Sequence, residues 1–275
     1  MKDLLSIFEK PKPIIGMVHL RPLPGSPLYN PSDMNMKKIV QIAIEEAKIL
    51  QDAGVDGLQV ENIWDYPYQK GQEISKATVA SLAVAVNEVS SALKIPVGVN
   101  CHMNGAPESI VCAVAGNAQW IRVFEWCNAF ISQVGFVDSI AAQTARLRHD
   151  LRADDIKVFC DVNVKHGSHY IIHDRSVAEQ AMDVEAEGGD AIIVTGFDTG
   201  MPPSPERVLE AKKAVHMPII LGSGVAENNI SQLMSVADAA IIGSWFKEDN
   251  NWKNPISFKR TNSFMKKMEE FRSTL

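Results

Sequence analysis

Along the chain, short apolar runs alternate with longer stretches in which apolar positions recur every three or four residues. The runs are IIGMVHL (14–20), GLQVEN (57–62), PVGVNCH (96–102), WIRVFEW (120–126), KVFCDVNVKH (157–166), AIIVTG (191–196), PIILGSG (218–224) and AAIIGSWF (239–246). Runs of this length predict buried strands, and the helical spacing between them predicts crossover helices. The helix candidates are MNMKKIVQIAIEEAKILQDAG, ending at Gly54 as a natural C-terminal cap, then ISKATVASLAVAVNEVSSALK, SVAEQAMDVEAEGG, SPERVLEAKKAV and ENNISQLMSVA. PISFKRTNSFMKKMEEF reads as an amphipathic closing helix. Eight evenly spaced units predict a single-domain α/β protein with a closed parallel sheet, the (β/α)8 or TIM barrel; a doubly wound open sheet is the alternative. The expected organisation is one domain over 1–275. It has an N-terminal extension (1–12), the barrel (13–247) and the closing helix (255–275).

The totals agree with one such domain. The 275 residues are 46% hydrophobic and 22% charged, with a net charge of −6. A barrel of this kind typically takes about 250 residues. Mild acidity points away from nucleic acid and anionic membrane, both of which select basic patches. No apolar stretch has transmembrane length, so no integral membrane contact is expected. The N-terminus shows no secretory pattern, and Cys101, Cys112, Cys127 and Cys160 form no CxxC pair. A cytoplasmic protein with reduced, mostly buried thiols is the expectation. Trp245, Phe246, Trp252 and Phe258 cluster near the C-terminus. Apolar clusters often mark interfaces, so a homo-oligomer is expected.

Alternation along each run sorts side chains into those facing the barrel interior and those facing the helices. In CDVNVKHGSHY the valines fall on one side and Asp161, Asn163 and Lys165 on the other. The same test sends Gln59 and Glu61, Asn100 and His102, Arg122, and His19 inward from the first four runs. Barrel interiors are usually filled by branched apolar residues. Charged groups there are paired, Glu61 and Asp161 against Arg122 and Lys165. They read either as an active site or as an ion-pair network that only holds the barrel.

The last three runs end instead in small residues: Thr195 and Gly196, then Gly222, Ser223 and Gly224, then Gly243 and Ser244. Glycine lets backbone N–H groups approach an anion, and the loops after the seventh and eighth strands of this fold recurrently bind phosphate. The alternative is that these glycines serve tight turns only. With Asp198 beside them, they make a small phosphorylated molecule the expected ligand.

Glu61 and Asp161 are the carboxylates suited to general-base work. Asp161 shares a face with Lys165 and keeps it protonated, which favours electrostatic or acid chemistry over imine formation. Arg122 completes the catalytic set. His19, Asn100, His102, Asn163 and Asp198 are candidate substrate contacts. By alternation His166 points outward, a structural or solvent-exposed position. Trp64, Tyr66 and Tyr68 are placed either to cap a ligand or to pack a loop. No cofactor is expected, because Rossmann, Walker and nucleophile-elbow fingerprints are absent. A divalent metal held by a carboxylate with His19 or His102 is possible, though no metal motif is present. Three long connections, HLRPLPGSPLYNPSD, NIWDYPYQKGQEI and CNAFISQVGFVDS, emerge at the rim and are lid candidates.

PIIGMVHLRPLPGSP, DGLQVEN, IPVGVNCHMN, WIRV, DVNVKH, IIVTGFDTG, LGSGVAENN and IIGSWFK together resemble the BtpA family, which includes SgcQ-type proteins. The resemblance runs from about residue 13 to the closing helix. It implies a phosphate-binding barrel, with members associated either with photosystem I biogenesis or with sugar-uptake operons. Two functions are therefore expected in competition. One is an enzyme that cleaves or enolises a sugar phosphate, as a lyase, isomerase or epimerase. The other is a non-catalytic assembly or regulatory factor.

Overall fold

The structure, a computed structural model, describes residues 6–196 and 200–275. Asp198 lies outside the described residues. In chain order the strands are β1 (Ile14–His19), β2 (Gly57–Glu61), β3 (Val97–Asn100), β4 (Trp120–Val123), β5 (Ala129–Ser132), β6 (Gly135–Asp138), β7 (Lys157–Val162), β8 (Ala191–Val194), β9 (Ile219–Leu221) and β10 (Ala239–Ile242). The helices are α1 (Met36–Asp52), α2 (Lys76–Ala92), α3 (Ala106–Gly116), α4 (Ala141–Asp150), α5 (Val177–Ala186), α6 (Pro205–Ala214), α7 (Ile230–Val236) and α8 (Phe258–Arg272). All eight apolar runs contribute to one closed parallel barrel, ordered β1–β2–β3–β4–β7–β8–β9–β10 and back to β1. The chain is a single-domain TIM barrel. Two of its helices, α3 and α4, fall in stretches that gave no separate helical signal. The connection after β4, read as a loop, folds into the antiparallel β5–β6 hairpin, and Ile131 bridges to Ser168 beyond β7.

Local chemistry sets the ends of the helices. The side chains of Asn35, Ser75 and Ser204 accept from the first-turn N–H groups of α1, α2 and α6. Ser176 and Glu179 form a reciprocal capping box on α5. Helix α1 stops as expected before Gly54, whose φ of +96° suits glycine. Helix α8 is pinned shut where Arg272 pairs with Asp56 and reaches the carbonyls of Pro11 and Lys12. All four cysteines are buried and free. Among the described residues, no helix is long and apolar enough to cross a membrane.

Three cores result among the described residues. The largest lies between sheet and helices; a second fills the lower barrel with Ile15, Trp120, Phe159, Ile193, Ile220 and Ile241; a third gathers Met103, Phe124, Phe130, Val137 and Val164. Phe8 plugs the bottom, its ring 5.4 Å from that of Trp120, so the N-terminal segment helps close the interior. Trp120 sits directly across from Gly98 in the β3–β4 register, and a Cβ at Gly98 would stand 2.1 Å from the indole. Gly98→Ala is therefore expected to cost about 1–3 kcal/mol or more by overpacking a fully buried ring. Denaturant unfolding would register this; an unchanged midpoint would show that the indole shifts freely.

The C-terminal aromatic cluster does not form a surface patch. Phe246 is fully buried against Phe264, Trp245 and Trp252 turn toward the barrel mouth, and only Phe258 of the four is exposed. The reason for expecting an oligomer from these residues is thereby removed.

Candidate active site

At the C-terminal ends of the strands the barrel opens into a cavity of about 880 Å³. His19, Glu61, His102, Arg122, Lys165, Gly222, Ser223, Gly224, Gly243 and Ser244 all line it. Asp161, Asn100, Thr195 and Gly196 are buried beside it, and Asn163 is not on its wall.

Glu61, the last residue of β2, is held from two sides. Asn100 Nδ2 donates to its Oε2 at 2.9 Å, and His102 Nε2 lies 2.9 Å from its Oε1. The imidazole approach is off the N–H axis, and His102 Nδ1 has no partner among the described residues. Burial alone would raise the Glu61 carboxyl, but His102 first and then Arg122 hold it well below the usual carboxylate range. A carboxylate that acidic is a poor proton acceptor and a good orienting group. Asn100, taken for a substrate contact, serves Glu61 instead. The backbone N–H of His102 is fixed by Asn62 Oδ1 at 2.8 Å.

Arg122 from β4 makes a bidentate pair with Asp161 from β7, through Nε to Oδ2 at 2.8 Å and Nη2 to Oδ1 at 2.9 Å. Asp161 is 1% exposed and lies beneath the cavity, so its role is to hold the guanidinium that reaches the wall. His19 is neutral: burial first, then the Lys247 charge, push its pKa down to about 3. Its Nδ1 lies 3.3 Å from the Trp252 carbonyl, which can only accept, so Nε2 carries the free lone pair. Behind it, Glu46 bridges Arg21 at 3.2 Å and the fully buried Lys247 at 3.4 Å.

The alternation read through CDVNVKH stops at the end of β7. The strand ends at Val162, and Asn163 and His166 take φ of +51° and +63°. The shared face read for Asp161, Asn163 and Lys165 therefore does not continue past Val162. Lys165 still reaches the cavity, because its backbone N–H is tied to Thr195 Oγ1 at 3.2 Å. Asn163 leaves the inward face, and His166 stands exposed at the cavity mouth rather than toward the helices.

Gly222 approaches Arg122 so closely that a Cβ there would lie 3.1 Å from Nη2. Gly224 has φ of +75° and abuts the Pro202 backbone, and Gly243 faces His19. Ser223 Oγ is engaged at 3.1 Å with the Met201 carbonyl and accepts from Gly196 N–H at 3.4 Å. Gly196 is needed because the 201–202 backbone passes 2.2 Å from where its Cβ would be. Thr195 and Gly196 thus support the loops whose glycines face the cavity. Among the described residues, no three His, Cys, Asp or Glu side chains gather as metal ligands.

Two features escaped the sequence reading. The first is a belt of rings in series: Trp252 to Trp64 (5.0 Å), Trp64 to Tyr66 (6.3 Å), Tyr66 to Tyr68 (6.4 Å), Tyr68 to His102 (4.8 Å) and His102 to Phe124 (4.9 Å). The YPY segment after β2 hinted at it, but Phe124 and Trp252 join it only in space. The second is Glu125, 4% exposed behind β4, where burial first and then the Asp161 charge raise it to about 9. A lone carboxylate on the outward face of WIRVFEW was the available signal. Because the folded state binds this proton far more tightly than the ordinary 4.5 allows, the stability it confers is complete below that value. It is then lost as pH rises through 9. Against Glu125→Gln, the wild type should lose about 1.4 kcal/mol per pH unit inside that window. Paired urea melts at several pH values measure this; parallel curves would show that Glu125 is ionised in the fold.

The BtpA family model matches residues 10–270. The chain is 39% identical over 257 residues to the protein MJ1115 of Methanocaldococcus jannaschii, covering 94% of this chain and 95% of that one. It is 32% identical over 270 residues to the photosystem I biogenesis protein BtpA of Synechocystis, covering 98% and 92%. Among solved structures, tryptophan synthase of Mycobacterium tuberculosis superposes with a TM-score of 0.63 at 15% identity, over 98% of this chain and 97% of that one, a likeness of fold.

Proposed function

The chain belongs to the BtpA family, and from that premise we propose that it is an enzyme that enolises or cleaves a small sugar phosphate. The observation that carries this reading is the convergence of Glu61–His102, Arg122 and Lys165 on one open cavity that also holds the glycine-rich ends of β9 and β10. In this reading His102, aligned by Glu61, takes the proton α to a carbonyl. The electron pair moves onto the carbonyl oxygen, and the Arg122 and Lys165 cations stabilise the resulting enolate. Return of the proton to the neighbouring carbon, with a proton passed between the two oxygens, gives isomerisation; in aldol cleavage the base takes the β-hydroxyl proton instead, the Cα–Cβ bond breaks, and its electron pair becomes the same enolate. Ser223, Gly224, Gly243 and Ser244 supply backbone N–H groups to the phosphate, the Gly222 N–H being given to the Val194 carbonyl at 2.9 Å. The finer placing as an SgcQ-type, cytoplasmic member belongs to the same proposal.

The competing reading, a non-catalytic assembly factor, is favoured by the name of the Synechocystis relative as a photosystem I biogenesis protein. A barrel top filled with side chains would suit that reading better than an open cavity with converging charges. The test is proton exchange in D2O, followed by NMR on a panel of aldose, ketose and keto-acid phosphates. Enolisation predicts deuterium at the α carbon, lost in His102→Gln. No exchange or cleavage with any of the panel would overturn the enzyme reading.

A further inference from the structure

The cavity is larger, and one side of it more aromatic, than a sugar phosphate requires. At about 880 Å³ it lies near the top of the ~300–1,000 Å³ range that holds drug-sized ligands. Four members of the aromatic belt, Tyr68, His102, Phe124 and Trp252, line it. Tyr68, His102 and Phe124 come from the ends of β2, β3 and β4, across the sheet order from the β9 glycines, and Trp252 comes from the connection after β10.

These rings are set as walls. Tyr68 Oη donates to the Ile63 carbonyl at 2.7 Å, so the hydroxyl is spent locally and the ring faces the cavity as carbon. Phe124 is edge-on to the His102 ring, at an interplanar angle of 78°. Aromatic faces left against water gain when a flat ring covers them, and base-sized rings stack on such platforms with little sequence of their own to satisfy. At the tip of the β5–β6 hairpin, Gln133 brings an amide to the same cavity. An amide carries a donor and an acceptor side by side, the pattern that reads the edge of a nitrogen heterocycle.

We infer that the cavity holds, beside its anion end, a ring subsite walled by Tyr68, His102, Phe124 and Trp252 that takes a planar nitrogen-heteroaromatic group. The substrate class is then a sugar phosphate that carries such a ring and keeps an open-chain carbonyl, with nucleotides serving as probes of binding. This rests on the sugar-phosphate reading above and narrows it.

Calorimetric titration with ribose 5-phosphate, AMP, UMP and adenosine tests the inference. AMP or UMP is expected to bind at least tenfold tighter than ribose 5-phosphate. Trp252→Ala and Tyr68→Leu should each erase most of that ratio while ribose 5-phosphate affinity stays within about threefold, and melting curves confirm folding. Gln133→Ala, on an exposed tip, should change the AMP-to-UMP preference. If both nucleotides bind no tighter than ribose 5-phosphate, or the ratio survives both ring variants, the ring subsite is refuted and the sugar-phosphate reading stands. If adenosine binds as tightly as AMP, the anion end fails and the ring subsite stands.

Discussion

Asp161→Asn is expected to lower the melting temperature by on the order of 10 °C. Removing one partner of a buried ion pair costs about 3–5 kcal/mol, because the other charge is left uncompensated. In a domain of this size each kcal/mol moves the midpoint by about 2–4 °C. Here the stranded charge is the Arg122 guanidinium, 4% exposed, whose Nε and Nη2 both bond Asp161. A double variant, Arg122→Met with Asp161→Leu, removes both charges and should recover most of the loss in a thermal melt, while binding of the phosphorylated substrate stays impaired. A single variant that melts like the wild type would mean the pair is bridged by solvent rather than buried.

Lys165→Met is expected to reduce turnover by about a hundredfold or more, the size of effect seen when one stabilising donor is taken from a developing oxyanion. The melting temperature should move by no more than ~2 °C. Thr195 grips the backbone N–H of residue 165, which the substitution leaves in place, and methionine fills the same length. The two variants therefore separate roles: Asp161 acts on stability through Arg122, and Lys165 acts at the cavity. Full activity of Lys165→Met on the substrate would return the charged cluster to a purely structural role.

The barrel was legible because each strand is buried on both faces, so its apolar run survives in the sequence whatever the loops do. The seventh and eighth barrel strands, β9 and β10, could be placed by their glycine ends for the same reason. Alternation failed where regular backbone failed. It named Asp161 correctly inside β7, then put Asn163 on the wall and His166 outward, although the chain turns through positive φ at both. Helix α4 carries Arg146, Arg148 and His149 with few apolar positions, too weak a stripe to stand out. The β5–β6 hairpin is held by its bridge to Ser168 and by Phe130 against His169, contacts about forty residues apart in the chain. The contacts of Glu61 were hidden for a spatial reason too. Asn100 and His102 reach it from the next strand, and it is on their approach that the proposed function has Glu61 orient His102.

A crystal of the wild type soaked in inorganic phosphate tests the account most directly. The account expects the anion in the cavity, taking the backbone N–H groups of Ser223, Gly224, Gly243 and Ser244 within reach of Lys165. Phosphate bound elsewhere, with those loops closed by their own side chains, would contradict it.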